Sequence, residues 1–248
     1  MNLPDISKEN VAFEKEDFTP AFDRNGHVDL RHLIHHFQDL ATRQIAKLSM
    51  GEDFEKENSF FYVVLRYKGY FLKGLEKDRH YTMVTFPTYP GALQLYRYCY
   101  LLDDRNEVCF CLISLWVLMD CKTRHIKPAK AFRERIEKAI PNIKDVRPLL
   151  EETLANFPLD EDGFVKCLTY QVKEQDIDGN GHMNNTMYFG IPSDFLPQKD
   201  IVTFEINYEK ECFFNENIDV FVKEGNILTF KGMKGDELSF KIRFTFAE

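Results

Sequence analysis

The same short pattern occurs twice in this chain. Asp23-Arg24-Asn25-Gly26-His27-Val28 is matched by Asp178-Gly179-Asn180-Gly181-His182-Met183, with one constant offset across the Asp, the Asn and the His. Each copy follows a strand-like stretch, precedes an apolar-periodic segment and is followed by several more strand-like stretches. Order repeats as well as residues, so a tandem duplication is expected. That constrains the fold strongly. A helix wrapped by an antiparallel sheet leaves a sheet edge and part of the helix uncovered, and a second copy beside it can extend the sheet and cover both. The two halves are therefore expected to be α+β units packed as a pseudo-dimer.

In chain order, Asn10 to Thr19 has Val11 and Phe13 two apart and reads as a first strand, leading into a loop from Pro20 to Gly26. From Leu30, the residues Leu33, Ile34, Phe37, Leu40, Ala41, Ile45 and Leu48 recur at helical spacing, with Gly51 as a natural stop. The stripe is wide enough to be covered by a sheet. His32, His35 and His36 lie along this helix without a carboxylate or cysteine at a matching turn, so they read as solvated or half-buried. Phe60 to Tyr67, His80 to Pro87, Leu93 to Leu102 and Val108 to Met119 read as a meander of strands separated by turn residues. Cys109 and Cys111, two apart, are placed on one face of the last.

Between Lys122 and Lys138 the composition turns basic, with Lys122, Arg124, Lys127, Lys130, Arg133, Arg135 and Lys138 against Glu134 and Glu137. This reads as a solvated helix in a linker punctuated by Pro141, Pro148 and Pro158. The chain then divides into an N-terminal unit over 1–125, a linker over 126–160 and a C-terminal unit over 161–248. In the last, Gly163 to Gln175, Ile201 to Phe214, Ile218 to Lys223, Ile227 to Met233 and Leu238 to Phe246 read as strands. A second helix is expected to start near Asn184 or Asn185.

The 248 residues, 44% of them hydrophobic, suffice for a packed core. No apolar stretch approaches membrane-spanning length. Met1 to Asp17 is polar and of mixed charge, without the basic-then-apolar order of a signal or transit peptide. Six cysteines with no CxxC pair and no histidine at zinc spacing predict reduced, cytoplasmic thiols and no metal site. A net charge of −8 argues against nucleic-acid binding, while leaving room for a local basic patch facing an acidic partner.

The stretch from Asp176 to Gly190 offers a carboxylate, an amide and an imidazole on glycine-rich backbone. Asp178, Asn180 and His182 can converge on one small volume, which suits a hydrolytic site; the plainer alternative is an Asx-rich helix entry with a solvated histidine.

The whole chain resembles the acyl-acyl carrier protein thioesterases. Asp178-x-Asn180-x-His182-x-Asn184-Asn185 followed by Tyr188 looks like that family's catalytic segment. Ser114 to Asp120 with Thr123-Arg124 and Pro128 resembles the end of its first domain, and Tyr208-Glu209-Lys210-Glu211-Cys212 resembles its later active-site strand. The resemblance implies two tandem hotdog domains, each a long helix wrapped by an antiparallel sheet, with catalysis in the second half and an acyl tunnel in the first. It implies hydrolysis of fatty acyl-acyl carrier protein, releasing free fatty acid and ending chain elongation, with no cofactor, in a monomer or homodimer. Asn184, Asn185 and Tyr188 are then expected to bind substrate, and Lys127, Lys130, Arg133 and Arg135 to dock the acidic carrier. Two features depart from the family: Gly190 and Pro192 interrupt the second helix, leaving it short or kinked, and a histidine stands at position 27. An acyl-coenzyme A thioesterase and a non-catalytic acyl-binding hotdog protein are the alternatives.

Thioester hydrolysis needs a nucleophile and donors for the oxyanion. His182 is the natural proton carrier, because imidazole titrates near neutrality. Two mechanisms fit. Cys212 attacks, assisted by His182 and Asn180, or a water attacks, activated by His182 with Asp178 and Glu211. Strand alternation prevents Glu211 and Cys212 from both facing the site unless a bulge intervenes. The resemblance favours water.

Overall fold

The computed structural model of the protein describes residues 12–160 and 162–247. The first strand's expected opening, Asn10 and Val11, lies outside them. The first half contains β1 (Glu14–Phe18), α1 (Leu30–Lys47), α2 (Glu52–Asn58), β2 (Phe60–Phe71), β3 (Tyr81–Pro87), β4 (Leu95–Leu102) and β5 (Val108–Asp120). A short β6 (Ile126–Lys127) and α3 (Lys130–Ala139) follow, and the second half contains β7 (Val165–Gln171), β8 (Ile201–Tyr208), β9 (Asn217–Lys223), β10 (Leu228–Lys234) and β11 (Glu237–Phe246).

One antiparallel sheet runs β1-β3-β4-β5-β2-β8-β11-β10-β9-β7. Read outward from the central β2/β8 pair, the two halves have the same order, so the duplication seen in residues is a pseudo-two-fold in the sheet. The pair is in register from Arg66↔Asn207 to Tyr70↔Thr203. Within it Gly69 lies beneath Phe204, whose ring a Cβ at position 69 would meet at 2.3 Å. A glycine in a strand here is a seat for an aromatic ring.

Helix α1 starts where Asp29 accepts from the backbone N–H groups of Arg31 and His32. Its stripe of Leu30, Leu33, Ile34, Phe37, Leu40 and Ala41 is buried against the sheet. It ends at Lys47, with Leu48 as C-cap, before Gly51, which instead precedes α2, a helix that its charged sequence gave no periodicity to reveal. The core around α1 is continuous across the halves, joining Leu33 and Phe37 to Phe204, Phe230 and Phe240.

The second long helix is absent among the described residues. Where it was expected there are two 3₁₀ turns, Met187–Gly190 and Ser193–Phe195. Pro192 removes an N–H donor, and Gly190 sits so close to Arg31 that a Cβ would meet its Cδ at 2.7 Å. The segment is too short on either side of these breaks to propagate a helix. Its buried Tyr188, Phe189 and Ile191 fill the core instead, packed beside α1. One helix thus serves both halves of the sheet.

Two further expectations are corrected. The segment read as a solvated linker is a packed strap: Phe132, Ile136, Ile140, Ile143, Val146 and Leu154 cover the other face of the first-half sheet, over Tyr98, Tyr100 and Ile113. It is tied down by Leu149 and Leu154, whose N–H groups donate to the hydroxyls of Tyr100 and Tyr96. The nearly continuous apolar run of β5 is the sequence signal of burial on both faces. Cys109 and Cys111 belong to different core clusters, because the pairing of Leu101 with Phe110 and Leu102 with Val108 leaves Cys109 bulged.

Candidate active site

The two D-x-N-G-H loops have the same backbone. Asp178 Oδ1 accepts from Asn180 N at 2.8 Å and His182 N at 3.4 Å; Asp23 Oδ1 accepts from Asn25 N at 2.8 Å and His27 N at 2.9 Å. Gly181 and Gly26 stand at φ +82° and +87°, where a Cβ is costly. Each loop closes on an isolated bridge, Ile177↔Met183 and Phe22↔Val28. The pattern is therefore first a loop-building device.

The imidazoles meet different surroundings. His27 is buried, with Nε2 2.8 Å from the carbonyl oxygen of Pro197. His182 is one-fifth exposed, and its Nε2 lies 3.4 Å from Glu211 Oε2. Phe213 meets the ring edge-on at 5.1 Å. Glu211 is held in turn by Arg124, whose Nη2 donates to Oε1 at 2.9 Å and Oε2 at 2.8 Å. Arg124 comes from the turn after β5 in the first half, at φ +56°. A non-glycine residue there is strained, and its side chain offsets the strain by stacking on Phe61 at 4.9 Å and by binding Glu211. Sequence reading placed Arg124 in a motif but not in the site. Proximity across 87 residues of chain could come only from the β2/β8 seam.

His182, Glu211, Arg124 and Phe61 line a cleft of about 320 Å³, where β2 and β8 part beyond Arg66↔Asn207. Phe61 to Leu65, Met119 and Arg124 form one wall; Asp178, Asn180, His182, Met183, Asn185, Tyr188 and Tyr208 to Glu211 form the other. The Asn180 amide and the Asn185 N–H have no protein partner among the described residues, whereas the Asn185 carbonyl accepts from Tyr208 at 2.7 Å. Burial holds the Tyr208 phenol well above its ordinary range, so it remains a donor.

The other expected site residues divide. Asn184 accepts from Thr186 N and Thr186 Oγ1 through its side chain, as an N-cap would, and lines the neighbouring pocket. Tyr188 is buried; its ring reaches the cleft, but its hydroxyl is turned to Cys212 and Ser239, and burial raises it. Cys212 does not line the cleft: it is fully buried with Sγ 3.0 Å from Ser239 Oγ. β8 ends at Tyr208, and the irregular chain beyond it puts Glu211 in the cleft and Cys212 in the core. Of the four basic candidates, Lys127 is spent on Asn58 O and Asp120, and Arg135 stacks on Phe54. Lys130 is exposed, 4.0 Å from Glu134.

Asp178, Asn180, Asn184 and Asn185 also line a second cavity of about 510 Å³, which runs into the first half between α1 and the sheet, past Ala41, Ile45, Leu95, Trp116 and Phe132. A pocket with aliphatic and aromatic walls, lined also by Gln38, Thr42, Thr88, Glu52 and Glu55, thus opens beside the polar cleft. The acyl-ACP thioesterase N-terminal domain matches residues 18–134, and the acyl-ACP thioesterase C-terminal domain matches residues 160–247. The chain belongs to the acyl-ACP thioesterase family. A chloroplastic acyl-[acyl-carrier-protein] hydrolase of Cuphea viscosissima is 32% identical over 125 residues, 46% of this chain and 29% of that protein. The palmitoyl-acyl carrier protein thioesterase of Cuphea hookeriana aligns to the same extent. The match thus spans less than a third of the length of these curated relatives. Among solved structures, an acyl-ACP thioesterase from Bacteroides thetaiotaomicron superposes with a TM-score of 0.83 at 19% identity, covering 95% of this chain and 98% of its own. The 12:0-ACP thioesterase of Umbellularia californica gives 0.78 at 17% identity, covering 95% and 97%. These likenesses establish the shared fold of the acyl-ACP thioesterases. No helix among the described residues is long and apolar enough to cross a membrane.

Proposed function

We propose that the protein hydrolyses the thioester of a fatty acyl-acyl carrier protein, releasing free fatty acid and ending chain elongation. The reading rests on the seam cleft, where His182, Glu211 and the unbonded Asn180 and Asn185 donors face the mouth of the first-half pocket. Acyl-carrier-protein hydrolases among its relatives support the carrier.

In this reaction His182 takes a proton from the water whose oxygen attacks the thioester carbon. The Asn185 N–H and the Asn180 amide donate to the oxyanion. When the tetrahedral intermediate collapses, the C–S bond breaks and His182 returns its proton to the departing thiolate. Glu211 holds the imidazolium, and Arg124 fixes Glu211. Asp178 builds the loop with Oδ1, which leaves Oδ2, without a protein bond among the described residues, to accept from the attacking water. The burial of Cys212 supports the water route over the thiolate route.

The acyl chain occupies the first-half pocket. Lys130 and Arg133 remain candidates for the acidic carrier, and six free thiols suit a reducing cytoplasm. The test is free-thiol release from acyl-carrier-protein thioesters of graded length. Wild type should turn over, and His182→Ala should lose about 10²- to 10⁴-fold. Undiminished release by His182→Ala, or faster release from coenzyme A thioesters by wild type, would refute the reading.

A further inference from the structure

The pocket of the first half, lined also by Glu52 and Glu55 of α2, contains a buried cation. Arg97 on β4 points toward α1, lines the pocket and is 6% exposed. Its Nη1 donates to Gln44 Oε1 at 2.5 Å and to Thr85 Oγ1 at 3.2 Å, both neutral oxygens. Its Nε and Nη2 have no protein partner, and no carboxylate pairs with it, among the described residues. Gln44, 1% exposed, is itself anchored through Nε2 to Ala12 O. Burial lowers the guanidinium to about 10, which leaves it charged at neutral pH. β4 stands two strands out from β2, about 10 Å across the sheet from the seam that carries the catalytic loop.

A plain hydrocarbon filling this pocket would remove water from the guanidinium and supply no acceptor in return, the costly way to bury a charge. A chain with an oxygen at its far end would supply one, through a charge-assisted hydrogen bond. We propose that the pocket takes acyl chains oxygenated at the end remote from the thioester, as a hydroxyl or a carboxylate, with Arg97 as the donor to that oxygen. This rests on the thioesterase reading and names its substrate class.

The test compares plain, ω-hydroxy and ω-carboxy acyl-carrier-protein thioesters over a series of lengths. For wild type, kcat/KM of one oxygenated class at its best length should exceed that of the plain chain of equal length by about tenfold or more. Arg97→Met should reverse the order, and Arg97→Lys should retain part of the preference. Plain chains preferred at every length would overturn the proposal, as would an Arg97→Met variant that only extends the plain chains accepted, which makes Arg97 a length stop. If no thioester is hydrolysed, the hydrolase reading fails and this one is decided by calorimetry on wild type with methyl esters. Tighter binding of the ω-hydroxy ester than of the plain ester supports it, and equal binding overturns it.

Discussion

Asp23 and Asp178 build identical turns with Oδ1, and their loops part company in what the histidine faces. Nδ1 of His27 lies 3.4 Å from Asp23 Oδ2 and its other nitrogen meets Pro197, whereas His182 faces a carboxylate held from the other half of the chain. Arg124 is thus a positioning residue for the proposed chemistry. Arg124→Met is expected to lower kcat about tenfold with little change in KM, and Arg124→Met added to Glu211→Gln should cost nothing further, because the two act as a unit. Its effect on Tm should be small, since a half-exposed pair contributes about 0–1 kcal/mol. A large loss of Tm with unchanged kcat would reverse this. Cys212→Ala should keep turnover near wild type at a cost of about 1 kcal/mol in stability; near-total loss of activity in a folded variant would restore the thiolate mechanism. The loop residues were legible in sequence as a motif. The committed and uncommitted oxygens were not, because hydrogen-bond partners are set by three-dimensional approach.

At the scale of elements, helix α1 was legible because its wide apolar stripe faces a sheet, and the strands because β-branched and aromatic runs alternate with turn residues. Helix α2 was not, since its EDFEKEN sequence buries only Phe54. The second helix was expected by symmetry, and Gly190 and Pro192 carried the warning. Gly69 tests the seam. Gly69→Val should force Phe204 out of its seat, costing about 2 kcal/mol and lowering Tm by about 4–8 °C. Calorimetric melting decides; a Tm at or above wild type would mean that β2 and β8 do not pack this closely.

For the whole molecule, the shared β2/β8 pair and the single core around α1 make the halves interdependent. Residues 162–247 produced alone would expose the β8 edge and the apolar face that α1 and β2 cover, and should be unfolded or aggregated by circular dichroism and gel filtration. Co-production with residues 1–160 should restore a folded species; a stable folded monomer of the second half alone would refute the interdependence. By itself the sequence determined the duplication, the α1 stripe, the strand runs and the loop carrying His182, because periodicity and turn chemistry are local. Only the tertiary structure decided that one helix serves both halves, that Arg124 reaches Glu211 and that Cys212 faces the core. Each depends on how the seam strands pair and then part, a distance between residues far apart in the chain that no local pattern encodes.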